Sequence, residues 1–150
     1  MPCAVLSIGT EVTRGELVNS NAAWLAAELT GLGFEVVEHA VVDDDPQRIG
    51  HALRRLAERV RVVVSTGGLG PTSDDVTTEA VARAIGTRIV RDEVSLENLR
   101  RRFEKAGRTM SASNAKQADF PEAADILPNA VGTAPGFGVR VGECMAYFLP

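Results

Sequence analysis

Cysteine is scarce. Cys3 and Cys144 are the only two among 150 residues, and no Cys-x-x-Cys pair occurs. That disfavours a disulfide framework and a cysteine-based zinc site. It leaves two buried or half-buried thiols in a reducing compartment. Long apolar runs are also missing. None approaches the ~18–20 residues of a membrane span. The N-terminus lacks a basic stretch followed by an apolar one, so no signal peptide is read. The cytoplasm is the expected location. Positive charge is in deficit, with 16 Lys and Arg against 20 Asp and Glu and a net charge of −4. A broad nucleic-acid or anionic-membrane surface does not fit that balance. The expected partner is a small molecule, with neither nucleic acid nor membrane.

What is present is ordinary globular material, 45% apolar and 24% charged. The length fits one domain, 1–150, with room for a core. Residues 4–9 read as a buried strand, followed by a polar loop over 10–18. Leu25, Leu29 and Leu32 recur at helical spacing, and Gly31 and Gly33 end that helix. Residues 34–42 form the next strand. Ile49, Leu53, Leu56 and Val60 mark a second helix, with Asp45 as N-cap and Pro46 in the first position. The β-branched run 62–65 is a buried strand. A Gly-rich loop, 66–75, leads into a helix that Gly86 closes. Residues 87–90 suit a short strand. Leu96, Leu99 and Phe103 define a last helix ending near Gly107. Short β-like stretches follow at 124–127, 139–141 and 145–149. Strands alternating with helices predict an α/β fold with a mostly parallel sheet and helices on both faces. Ligands then sit beyond the carboxyl ends of the strands, where the loops after Gly9, Val42 and Ser65 share one rim.

The strongest local signal is Ser65-Thr66-Gly67-Gly68-Leu69-Gly70-Pro71-Thr72-Ser73-Asp74-Asp75-Val76-Thr77. Glycines let backbone amides approach a ligand, and the following helix start presents free N–H groups. That suits a phosphate. The loop is neither a P-loop nor a GxGxxG fingerprint. A tight strand-to-helix turn capped by Asp75 or Thr77 explains the same residues equally well. A carboxylate ~4 Å from a phosphate charge is repelled by ~4 kcal/mol at an effective dielectric near 20. Asp74 and Asp75 therefore imply either a divalent cation or side chains turned away. Asp43-Asp44-Asp45 is a second acidic cluster on that rim, with Asp43 and Asp45 read as turn and cap. The first loop offers Gly9, Thr10 and Glu11, with Asn21 beyond it. Glu11 and Asn21 either orient a ligand or cap the next helix. Lys116, one of two lysines, is suited to a phosphate, although exposed lysines are common. His39 and His51 are read as incidental. Arg100, Arg101, Arg102 and Lys105 are read as a solvated helix face.

These stretches together resemble the molybdopterin-binding domains of molybdenum cofactor biosynthesis proteins and of CinA proteins. The Thr66-Gly67-Gly68-x-Gly70 loop with Asp75-Val76-Thr77 carries the wider likeness. Ile8-Gly9-Thr10-Glu11 with Gly15 and Asn19-x-Asn21 favours the CinA branch. So do Gly70-Pro71-Thr72-x-Asp74-Asp75, Asn114-x-Lys116-Gln117-Ala118 with Pro121, and Asn129-x-x-Gly132-Thr133-Ala134-Pro135-Gly136-Phe137. The resemblance covers nearly the whole chain.

It implies a three-layer α/β/α sandwich. In the CinA branch it implies a divalent-metal-dependent ADP-ribose pyrophosphatase giving AMP and ribose 5-phosphate, with Mg, Mn or Co as the metal. In the cofactor branch it implies binding, and sometimes adenylylation, of molybdopterin. A non-catalytic nucleotide- or pterin-binding module is the third reading. Asp44 and Asp75 fall where the superfamily places its paired acids, and are expected to be catalytic and to hold the metal. The expected ligand contacts are Gly9, Thr10, Glu11, Asn21, Thr66, Gly67, Gly68, Gly70, Thr72 and Asp74. Lys116 and the loop of Thr133, Ala134, Pro135 and Gly136 are expected to close over the other end of the ligand. The family's usual continuation is absent after Phe148-Leu149-Pro150, so the domain reads as cut short. Its frequent nicotinamide-nucleotide deamidase domain is absent too, so deamidation is not expected. The expected assembly is a homo-oligomer.

Overall fold

A computed structural model describes all 150 residues, Met1–Pro150. Its core is a six-stranded sheet in the order β2-β1-β3-β8-β7-β6. The strands are β1 (Pro2–Ile8), β2 (Glu35–Val42), β3 (Val62–Thr66), β6 (Asp125–Leu127), β7 (Gly136–Val141) and β8 (Cys144–Leu149). β2, β1, β3 and β8 pair in parallel, and β7 runs against both neighbours. The alternating pleat divides the side chains of β1. Ala4, Leu6 and Ile8 join the larger core, and Cys3 and Val5 the smaller one. A strand apolar on both faces must be covered on both.

The covering helices follow from the apolar spacing. On one face, α2 (Ser20–Gly31) packs through Ala22, Leu25 and Leu29. On the other, α3 (Pro46–Ala57) and α4 (Thr77–Ile85) pack through Ile49, Leu53, Leu56, Ala80 and Val81. The result is the three-layer α/β/α sandwich. Asp45 caps α3 as the sequence implies, accepting from the N–H groups of Gln47 and Arg48, both at 2.9 Å. Both cysteines are free and buried, and burial pushes each thiol up from its usual range. No helix is long and apolar enough to cross a membrane.

Some details differ from the sequence reading. Residues 10–18 are not all loop, because Thr10–Thr13 forms one helical turn, α1. The short strand near residue 90, β4 (Ile89–Arg91), lies outside the main sheet. It pairs with β5 (Asp119–Pro121) in a separate antiparallel ribbon. Between them run α5 (Glu93–Lys105) and a 3-10 helix, Ala112–Ala118. Arg102 is not solvated with Arg100 and Arg101. It turns inward and donates to the carbonyls of Asn129 and Gly132.

On the exposed strand β2, Glu38 accepts from Arg55 at 2.6 Å and Arg59 at 2.9 Å, two arginines that follow one another along α3 and its C-terminal end. The Arg55 hydrogen bond is the main cause that holds the Glu38 carboxyl below its usual range. A depressed carboxyl stabilises the fold above its unfolded pKa, and that contribution is lost as pH falls through the folded value. Arg59 is exposed and Arg55 half-buried, so solvent screening limits the effect to ~1 kcal/mol or less. Glu38→Gln should lower the melting temperature slightly at neutral pH. The gap to the wild type should close as thermal melts are taken to acid below the ordinary glutamate range.

Candidate functional site

β1, β2 and β3 end side by side, at Ile8, Val42 and Thr66. The loops that leave them enclose a cleft of about 590 Å³. Gly9, Thr10, Glu11, Asp44, Gly67, Gly68, Thr72, Asp74 and Asp75 line it, with Arg14 and Glu16 at its wall. Five carboxylates therefore face one guanidinium.

The Gly-rich loop is fixed by the ends of its neighbours. Gly67 has φ 101°, and a Cβ there would lie 2.0 Å from the Ile8 carbonyl oxygen. Gly68 has φ 73°, and a Cβ there would lie 2.1 Å from Thr77 Oγ1. Thr77 is fully buried and donates to the Gly67 carbonyl at 2.9 Å. The Gly67 N–H is already given to the Leu149 carbonyl at 3.3 Å. The N–H groups of Gly68 and Gly70 have no protein acceptor. A side chain at 68 would thus meet Thr77 before any ligand.

The two expected acids are held by one device used twice. Asp44 Oδ2 accepts from both the N–H and the Oγ1 of Thr10, each at 2.9 Å. Asp75 Oδ2 accepts from the N–H of Thr72 at 2.9 Å and from its Oγ1 at 2.7 Å. In each case Oδ1 has no hydrogen-bond partner. Asp75 is not a helix cap. The N-cap of α4 is Val76, which makes no side-chain bond. The spacing Thr72-x-x-Asp75 is the sequence signal for this turn.

Oxygen donors of this kind suit a hard divalent cation. No group of three or more His, Cys, Asp or Glu gathers to form a complete cage. Mg²⁺ commonly takes one or two carboxylates and fills its shell from substrate phosphates and water. Asp44 and Asp75 line one cleft and supply two such carboxylates, each with Oδ1 left free.

The other expected residues are placed less directly. Asn21 and Thr66 line an adjoining cleft that shares Glu11 and Gly67 with the first. Asn21 does not cap α2. Asn19 does, accepting from Ala22 at 3.2 Å while its Nδ2 donates to Ser7 Oγ at 2.9 Å. Lys116 does not line the acidic cleft. Its Nζ donates to the Thr72 carbonyl at 2.8 Å, fastening the 3-10 helix to the Asp75 turn. Thr133 and Pro135 line a separate cavity of about 610 Å³ beside α5. Ala134 and Gly136 are buried, and Thr133 Oγ1 accepts from Gln117 at 3.0 Å. Arg14, the lone cation of the acidic cleft, is not singled out by the sequence reading. Its only signal there is a basic residue in the first loop.

The family model described as a probable molybdopterin-binding domain matches residues 4–150. A CinA-like protein of Geobacter sulfurreducens is 48% identical over the whole chain, and one of Frankia casuarinae is 43% identical. The chain spans about a third of the length of these curated relatives, 36% in each case. The crystal structure of the protein CinA of unknown function from Thermoplasma acidophilum superposes with a TM-score of 0.91 at 38% identity. It covers 99% of this chain and 87% of its own. The molybdopterin biosynthesis enzyme MoaB of Thermus thermophilus shares the fold, with a TM-score of 0.63 at 22% identity, over 99% of this chain and 80% of its own. The chain belongs to the family of probable molybdopterin-binding domains, in its CinA branch.

Proposed function

We propose that the acidic cleft binds a nucleotide sugar through its diphosphate, together with a divalent cation. The reaction is hydrolysis of ADP-ribose to AMP and ribose 5-phosphate. The observation that carries this is the lining: five carboxylates around amides that otherwise suit phosphate. A bare diphosphate would be repelled there by several kcal/mol. A bound Mg, Mn or Co ion would neutralise that charge and favour attack of water at phosphorus. Asp44 and Asp75 would hold it through Oδ1, since Thr10 and Thr72 fix both carboxylates through Oδ2. The free N–H of Gly68, which lines the cleft, would orient a phosphate oxygen, whereas Gly70 lies outside the lining against the Asp75 carboxylate. Such catalysis is mainly positioning and electrostatics and needs no Ser/His/Asp triad.

The purified chain should therefore release AMP from ADP-ribose with Mg²⁺, Mn²⁺ or Co²⁺, and chelation should bring release to background. The same rim supports a second reading, molybdopterin binding with or without adenylylation, which the family match favours. Tight molybdopterin binding without AMP release under any metal would select it.

A further inference from the structure

A second groove, of about 720 Å³, runs between α3, α4 and the last residues of β2. Its walls carry Arg48, His51, Arg54, Arg55 and Arg83, and no acidic residue lines it. In a chain of net charge −4 this is a concentrated cationic surface. Arg48 and Arg55 are engaged with Asp43 and Glu38. Arg54 and Arg83 are exposed and have no ion-pair or side-chain hydrogen-bond partner. The floor is apolar, formed by Ala40, Val42 and Ala84.

The groove adjoins a bare sheet edge. β2 is the terminal strand of the order, so its outer backbone groups pair with no strand. It is eight residues long and holds neither Pro nor Lys, and none of its residues is buried. Soluble proteins usually guard such an edge with charged side chains, Pro, a bulge or a cover, and the two acidic residues of β2, Glu35 and Glu38, precede the stretch beside the groove. The one register shift on β1–β2 lies at Cys3/Ala4, at the far end from the groove. Residues 39–42, beside the cations, carry no acidic side chain to repel an acidic partner.

We infer that this edge and groove receive an extended, acidic segment of a partner protein, added as a strand to the outer side of β2. Strand addition supplies main-chain hydrogen bonds, and alternate side chains of the added strand face the same side. Carboxylates at every second position would then reach Arg54 and Arg83 over the apolar floor. The sheet edge argues for a peptide over a nucleic acid, whose phosphates would need only the cations.

The test uses the whole chain and a fluorescein-labelled eight-residue peptide alternating Val and Glu, followed by fluorescence anisotropy. Saturable binding is expected, weakening as salt screens the exposed charges. The double variant Arg54→Glu/Arg83→Glu should bind about tenfold or more weakly, ~1.4 kcal/mol, with an unchanged circular dichroism spectrum. N-methylating alternate amides of the peptide should abolish binding to the wild type, a control that needs no variant to fold. Several outcomes would overturn the inference: no saturable binding, equal binding of the N-methylated peptide, or an unaffected charge-reversal variant. Displacement of the peptide by equimolar pyrophosphate or single-stranded DNA would do the same, by reducing the groove to a general anion site. So would self-association of the chain that Arg54→Glu/Arg83→Glu abolishes, because the edge would then be filled by a second copy.

Discussion

Asp75→Asn is expected to leave a folded protein whose metal-dependent AMP release falls on the order of 100-fold or more. The side chain does two separable things. Oδ2 closes a turn by accepting twice from Thr72, and Oδ1 is left for a cation. Asparagine keeps an oxygen for the first task and loses the charge needed for the second. The turn is exposed, and α4 is not capped by this residue. Stability should therefore change by only a few tenths of a kcal/mol, as for other exposed substitutions. Asp44→Asn should behave alike, because Thr10 holds it in the same way. If both serve one cation, the double variant should lose far less than the product of the single losses. Steady-state rates over a metal titration check this. Wild-type rates in Asp75→Asn would remove Asp75 from catalysis and put the reacting site elsewhere on the chain.

Gly68→Val should have the larger effect on the fold. The backbone there is in the left-handed region, at φ 73°, a cost on the order of 1–3 kcal/mol for a side-chain-bearing residue. The Cβ itself would collide with Thr77 Oγ1. Displacing Thr77 breaks its bond to the Gly67 carbonyl and disturbs a fully buried position, adding about 1–3 kcal/mol of overpacking. The sum is a large part of an ordinary domain's stability of about 5–15 kcal/mol. Gly68→Ala should lose most of the same stability, since the clash begins at Cβ. Chemical denaturation of both variants decides the matter. A wild-type midpoint in either would show that the residue matters only for ligand approach.

The alternation of apolar strands and amphipathic helices is legible in the sequence because each has its own period. It locates β1, β2, β3 and the helices α2 to α5 to within a few residues. Asp45 and Pro46 mark the start of α3 through local chemistry alone. The ribbon of β4 and β5 is not legible, because pairing Ile89 with Pro121 is a long-range choice that neither short segment records. The convergence of Gly67, Gly68, Asp44 and Glu11 follows from strand direction. The anchoring of Lys116 on the Thr72 carbonyl does not, since a lone lysine carries no information about which oxygen it will find. Arg102 departs from its expected solvated place for a similar reason. Its neighbours Arg100 and Arg101 do face solvent, and only the path of residues 129–132 draws it inward.

The order of strands has a consequence for synthesis on the ribosome. β8 follows all the other strands of the sheet in sequence, yet it lies inside, bonded to β3 on one side and β7 on the other. While the chain is being made, β2, β1 and β3 can pair, but the free edge of β3 waits for residues about eighty positions later. Phe148, which stacks on Phe137 in the core, is among the last side chains of this sheet to emerge. Until then the nascent chain carries an open, Val-rich edge, a state prone to aggregation. A nonsense mutation ahead of β8 would leave the protein in that state permanently.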